Sequence, residues 1–361
     1  MCAREGMFLA DESGRMRRCL LRRAIRAGLA AQLLLLTGCE RGAAVPAAAQ
    51  SAEPPRSPAP RAAASPSHSI RCGVEMRRVA LHVADGVVLQ VASLDGEFVS
   101  RVASTPPVFD DPRSYTLKLR DADITMDAEA LTNLLRQRAF ASPKSPVHDV
   151  DVRIEGNAMR VKGKLRKGID VPFSMKAEVS TTPEGLMRLH GASLKTAGVP
   201  VKGLLDLLGV NLDDLAKMPA GSGIRAEQDD LLIDATAILP PPATEGRLQR
   251  LQVRDGAVQM HMTGTASPPP RPRTLPVPSA RNYLYFYGGT IRFGKLTMTD
   301  ADMQLVDADQ SNPFDFFPER YDAQLVAGYS RNTERKGLKV FMPDYARVRS
   351  NGGILKAPRV P

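Results

Sequence analysis

The chain has 361 residues, with 49 Lys and Arg against 39 Asp and Glu and a formal net charge of +10. It is 43% hydrophobic and 24% charged, with 29 Pro, 28 Gly, four Cys and no Trp. That apolar share is enough for a sizeable core and excludes a wholly disordered chain, while the charge density excludes a multi-pass membrane protein.

Residues 16–26 carry Arg17, Arg18, Arg22, Arg23 and Arg26 without an acid, and the uncharged stretch 27–36 closes on four leucines. Thr37, Gly38 and Cys39 follow. A basic flank, a short apolar run and small closing residues describe a secretory signal, too short at about 10 residues to span a bilayer as a helix. The Leu36-Thr37-Gly38-Cys39 ending resembles a bacterial lipobox. The resemblance implies removal of residues 1–38, lipidation of Cys39 and a membrane-anchored, periplasm-facing envelope protein. Glu40 is not the Asp associated with inner-membrane retention, which favours the outer membrane. Cys2 and Cys19 leave with the signal and Cys39 carries lipid. Cys72 is then alone, without a disulfide partner or a cysteine cluster for a metal.

Residues 39–73, rich in Ala, Pro and Ser, read as a disordered tether. In the body, 74–264, Asp127 is placed to cap a helix reaching Phe140, with Leu131, Leu134, Leu135 and Ala139 on one stripe. Residues 150–155 and 159–166 alternate on either side of a Gly156-Asn157 turn. This puts Arg160, Lys162, Lys164 and Arg166 on one face and Val161 and Leu165 on the other. Further strands are expected over 171–179, 186–194, 231–239, 248–253 and 258–262. Residues 200–218 read as a short helical pair led by Leu204, Leu205, Leu207 and Leu208. The predicted class is α+β: an antiparallel sheet of long curved strands wrapped over a few short amphipathic helices, plus a small β-rich C-terminal segment.

A proline-rich linker, 265–279, precedes an aromatic-rich segment, 280–345, that holds twelve of the 18 aromatic residues. There, 283–292 and 295–306 read as paired strands and 318–328 as a short helix. The tail 346–361 reads as loose and basic. Charge partitions unevenly: 1–38 hold seven Arg and three acids, 39–72 four Arg and two Glu, and 346–361 four bases and no acid. The remaining 273 residues balance 34 bases against 34 acids, so the basic pI does not imply a nucleic-acid partner.

Residues 289–295 follow most of a phosphate-binding loop but place Leu296 where a hydroxyl must bind magnesium, and they read instead as a glycine-flanked hairpin. His68, His82, His148, His190 and His261 form no pair at ligand spacing. Asp300, Asp302, Asp307 and Asp309 alternate mostly with apolar residues, like the wet edge of a strand. With no nucleophile elbow either, no enzyme, cofactor or metal is expected.

From about 116 to 264 the chain resembles the bacterial LmeA-like phospholipid-binding proteins, which are similar to tubular lipid-binding domains. The similar parts are the Leu-rich helix at 128–140, the strands at 150–156 and 159–163, the Pro-Glu-Gly turn before Leu186, the Val199-Pro200 entry to a Leu-rich stretch, and a closing strand pair. The resemblance implies a kinked sheet and helices around an apolar groove that binds a lipid or other amphipath without a covalent step. Leu131, Leu134, Leu135, Val161, Leu165, Leu204, Leu205, Leu207 and Leu208 would wall it, with Arg160, Lys162 and Lys164 near the headgroup. The alternative is an envelope assembly lipoprotein that docks a protein partner through Tyr283, Tyr285, Tyr287, Phe314, Phe316 and Phe317.

Overall fold

The structure, a computed structural model, describes residues 70–351 except 144, 146, 168, 197–198, 202–222, 228–229 and 273. Cys39, the tether as far as residue 69, and Leu204, Leu205, Leu207 and Leu208 lie outside the described residues.

The chain enters as a long hairpin. β1 (Arg71–Ala84) and β2 (Val87–Ser100) pair antiparallel across Asp85-Gly86, where Gly86 takes φ +68°, a conformation glycine adopts at no steric cost. Residues 71–73, expected in the tether, are therefore strand, and burial pushes the Cys72 thiol up to about 12. β3 (Tyr115–Asp127) extends the sheet and buries Tyr115, Leu117 and Leu119 in strict alternation. Asp127 then caps α1 (Ala128–Leu134), accepting from Ala130 N at 2.7 Å, and a π-helical turn, Leu135–Ala139, continues it.

A second sheet follows: β4 (Val147–Glu155), β5 (Ala158–Lys167), β6 (Ile169–Thr181), β7 (Met187–Thr196), β8 (Val199–Val201), β9 (Ile224–Glu227) and β10 (Asp230–Ile233). Its order is β4-β5-β6-β7-β10-β9, with β8 also against β7. The strand expected over 231–239 stops at Ile233. There Asp234 turns the chain by accepting from Thr236 N at 2.9 Å and Ala237 N at 3.2 Å.

The chain then returns to the first sheet. β11 (Ala243–Glu245) and β13 (Ala257–Thr263) pair with β3, and β12 (Arg247–Arg254) pairs with β13. β14 (Tyr283–Tyr287) pairs with the first half of β1, β15 (Thr290–Phe293) and β16 (Leu296–Thr299) form a separate hairpin, and β17 (Asp302–Asp307) pairs with β14. β18 (Phe314–Phe316) runs parallel to the later part of β1, and α2 (Tyr321–Ala327) precedes β19 (Tyr329–Asn332) and β20 (Leu338–Met342). The two aromatic-segment strands expected at 283–292 and 295–306 are each broken in two, at Gly288-Gly289 and at Asp300, all with positive φ. Residues 346–351, expected in a loose tail, belong to α3 (Tyr345–Asn351), held where Asp315 Oδ2 accepts from Ala346 N at 2.8 Å.

The main path of this sheet is β12-β13-β3-β2-β1-β14-β17-β20-β19. Residues 265–279 thus connect two strands of one sheet, with β1 near its middle. One apolar core joins both sheets and includes Val74, Phe98, Leu134, Val161, Leu189, Phe286 and Phe316.

Residues 274–279 lie over the outer face of β14 as a strap. Val277 N donates to Gln304 Oε1 at 2.7 Å, and Leu275 packs against the cluster of Tyr283, Tyr285 and Tyr287. Each of these tyrosines meets a carboxylate: Tyr283 OH donates to Glu75 Oε1 at 2.8 Å, Tyr285 OH to Asp302 Oδ1 at 2.8 Å and Tyr287 OH to Asp95 Oδ1 at 3.4 Å. Each carboxylate meets an arginine in turn: Arg271 on Glu75, Arg335 on Asp302 and Arg120 on Asp95. Two expectations fall here. Asp302 and Asp307 are buried rather than on a wet edge, and Tyr283, Tyr285, Tyr287, Phe314, Phe316 and Phe317 are all buried rather than offered to a partner.

Candidate functional site: an apolar groove on the first sheet

The inner face of the first sheet is built from alternating apolar residues that do not all meet a partner. Met76, Leu81 and Val83 of β1, Leu89, Val91, Leu94 and Phe98 of β2, and Tyr115, Leu117, Leu119 and Ile124 of β3 line an open groove. Met262 of β13, Leu284 of β14 and Phe316 of β18 complete its floor, and the segments 109–112, 239–244 and 318–319 border it. It contains a cavity of about 120 Å³. An enclosed apolar cavity of about 150 Å³ can accept a molecule the size of benzene, so this one is close to the size that admits a small apolar group. A narrower crevice of about 20 Å³ shares Leu89, Ile124, Leu239 and Met262 with it and runs on to Leu131 of α1 and Met187 of β7.

The polar groups of the groove are few. Asp110 Oδ2 accepts from Gly294 N at 2.5 Å, and its Oδ1 accepts from the Tyr321 hydroxyl. His82 Nε2 lies 2.5 Å from Asp315 Oδ1, and its ring stacks on Phe317 with centroids 5.3 Å apart. Burial raises the Asp315 carboxyl, but the His82 bond, the Ala346 amide and the charges of His82 and Arg349 outweigh it and hold Asp315 below the usual carboxylate range. Glu319 is exposed beside the groove. A His–carboxylate pair orients nucleophiles in hydrolases, but the groove's hydroxyls are Tyr115 and Thr244, and Thr244 Oγ1 donates to Pro242 O at 3.2 Å.

Among the expected wall residues, Leu131 lines the crevice, while Leu134, Leu135, Val161 and Leu165 are packed in the core and line neither space. Arg160, Lys162 and Lys164 stand on the opposite face of β5 from Val161 and Leu165 and line neither space either. Arg160 makes two bonds to Glu155, at 2.6 and 2.8 Å, and Lys164 pairs with Asp149 at 2.8 Å. The groove therefore lies along the first hairpin, in residues that alternate in sequence but point to no ligand until β13 and β14 join them.

A further cluster was also hidden from sequence spacing. Pairing of β3 with β13 sets His261 opposite Asp123, 138 positions away, with Nδ1 at 2.9 Å from Asp123 Oδ1 and Nε2 at 3.6 Å from Asp121 Oδ2. One ligand atom from each of the three residues falls within 4.8 Å of the others. The imidazole stands between two exposed carboxylates, and exposed acidic groups of this kind are common without a metal.

Among the described residues no helix is long and apolar enough to cross a membrane. No protein-family model, no curated protein and no solved structure matches the chain.

Proposed function

We propose that this chain is a membrane-anchored bacterial envelope lipoprotein that holds a lipid or other amphipath non-covalently. The alkyl part lies in the groove of the first sheet, and acylated Cys39 supplies the anchor. The observation that carries the binding reading is the apolar-walled cavity opening on a mouth with few polar groups among the described residues. Burial of alkyl surface there is worth about 25 cal/mol per Å², and no catalytic step is needed. The anchor reading rests on the basic, apolar and small-residue order of 16–39.

The test is native mass spectrometry of full-length protein extracted from membranes. Parent protein is expected to carry adducts of amphipath mass, and Leu94→Trp, which fills the groove from β2, is expected to lose them. Only empty parent protein would count against binding. Separately, an alkyne fatty acid fed to cells is expected to label the parent and not Cys39→Ala.

A further inference from the structure

We infer that the groove selects an amphipath whose polar end is a cation, an alkylamine or a quaternary ammonium, rather than an anionic phosphate or carboxylate. This rests on the proposed binding of an amphipath in the groove and adds the sign of its head. Besides the Tyr115 phenol, three ionisable side chains line the groove among the described residues: His82, Asp110 and Glu319. Among the described residues no Lys or Arg lines it, and Arg113 and Arg320, which flank the border in sequence, are exposed outside it.

The charge of Asp110 is hydrogen-bonded but not cancelled. Its partners, the Tyr321 hydroxyl and the Gly294 amide, are neutral donors that stabilise a carboxylate without offsetting its charge. Glu319 brings a second carboxylate from the turn Pro318–Arg320, on another part of the border. The remaining ionisable group, His82, is spoken for by Asp315. The wall supplies the aromatic rings of Phe98, Phe109, Tyr115 and Phe316, whose π-systems attract cations and repel anions. An anionic head would meet two exposed carboxylates, with His82 already paired to Asp315, whereas an ammonium would meet charge and π-surface of the right sign. The cationic face of β5, the obvious place in the sequence to look for a headgroup, is not at this mouth.

The test uses the full chain carrying Cys39→Ala and three single-chain probes of one length: decyltrimethylammonium, decanoate and decyl maltoside. Each is titrated calorimetrically below its micelle-forming concentration. Decyltrimethylammonium is expected to bind roughly tenfold more tightly than decanoate, about 1.4 kcal/mol, which lies between the exposed and the desolvated scale of a cation–π contact. Glu319→Gln, at an exposed position, is expected to narrow that ratio, and Asp110→Asn with Glu319→Gln to narrow it further, down to what the aromatic wall alone sustains, each ratio being referred to maltoside binding by the same variant. Decanoate binding as tightly as the ammonium, or a ratio untouched by both variants, would overturn the inference while leaving amphipath binding intact. Failure of all three probes to bind would instead remove the groove reading itself, and the inference with it.

Discussion

Asp307 shows how one buried side chain makes the stability of this fold sensitive to pH. Burial pushes its carboxyl up to about 7, although Asp309 N and Asn282 Nδ2 donate to it at 2.8 and 3.1 Å and favour the charged form. In the unfolded chain the same group releases its proton near pH 4. Between about pH 4 and 7 the folded state therefore binds the extra proton, and this group's contribution to stability declines as pH rises through that window. Asp307→Asn mimics the protonated side chain at every pH. Its melting temperature relative to the parent is expected to improve steadily from pH 4 to pH 8, and a constant difference across that range would refute the account. Sequence alone placed this aspartate at a wet edge because alternation reveals that one face is polar, not that another segment covers that face.

At the scale of elements, α1 is tied down at both ends of its single buried stripe. Asp127 caps it, and Thr132 Oγ1 donates to Ala128 O at 2.8 Å while accepting from Val152 N of β4 at 2.9 Å. Asp127→Ala is expected to cost about 1 kcal/mol, as lost caps do. Thr132→Val keeps the shape but strands a buried strand amide, for about 1–3 kcal/mol. Urea midpoints at constant slope measure both, and a Thr132→Val midpoint equal to the parent's would show that water reaches Val152 N. The cap and the β4–β5 hairpin were legible in the sequence because their signals lie within a few residues of one another. Thr132 was not legible, since its partner is 20 positions away on another element. Nor was the groove, whose walls come from β1, β2, β3, β13, β14 and β18. Their alternation announced strands but not which inner face would be left unfilled. β14 was misread for a related reason: Leu284 and Phe286 face the core while its three tyrosines face the strap, so five consecutive buried residues resembled a sticky surface.

For the molecule as a whole, the proline-rich stretch suggested two bodies, whereas the first sheet makes them one. Gly73 to Arg77 pair with Tyr287 to Tyr283, and Leu284, Phe286 and Phe316 belong to the shared core. A chain ending at Ser279 is therefore expected to lack a cooperative thermal transition by circular dichroism, because β1 loses both β14 and β18 and the core loses those three side chains. A truncated chain that melts cooperatively near the parent temperature would restore the two-body view.

The central place of β1 also sets an order of events in time. It is the first strand of the described fold to leave the ribosome, yet one of its edges has no partner until β14 and β18 have been made some 200 residues later. Through that interval the nascent protein carries an open strand edge able to pair with the wrong neighbour. Correct assembly therefore depends on keeping this edge unoccupied until almost the whole polypeptide exists.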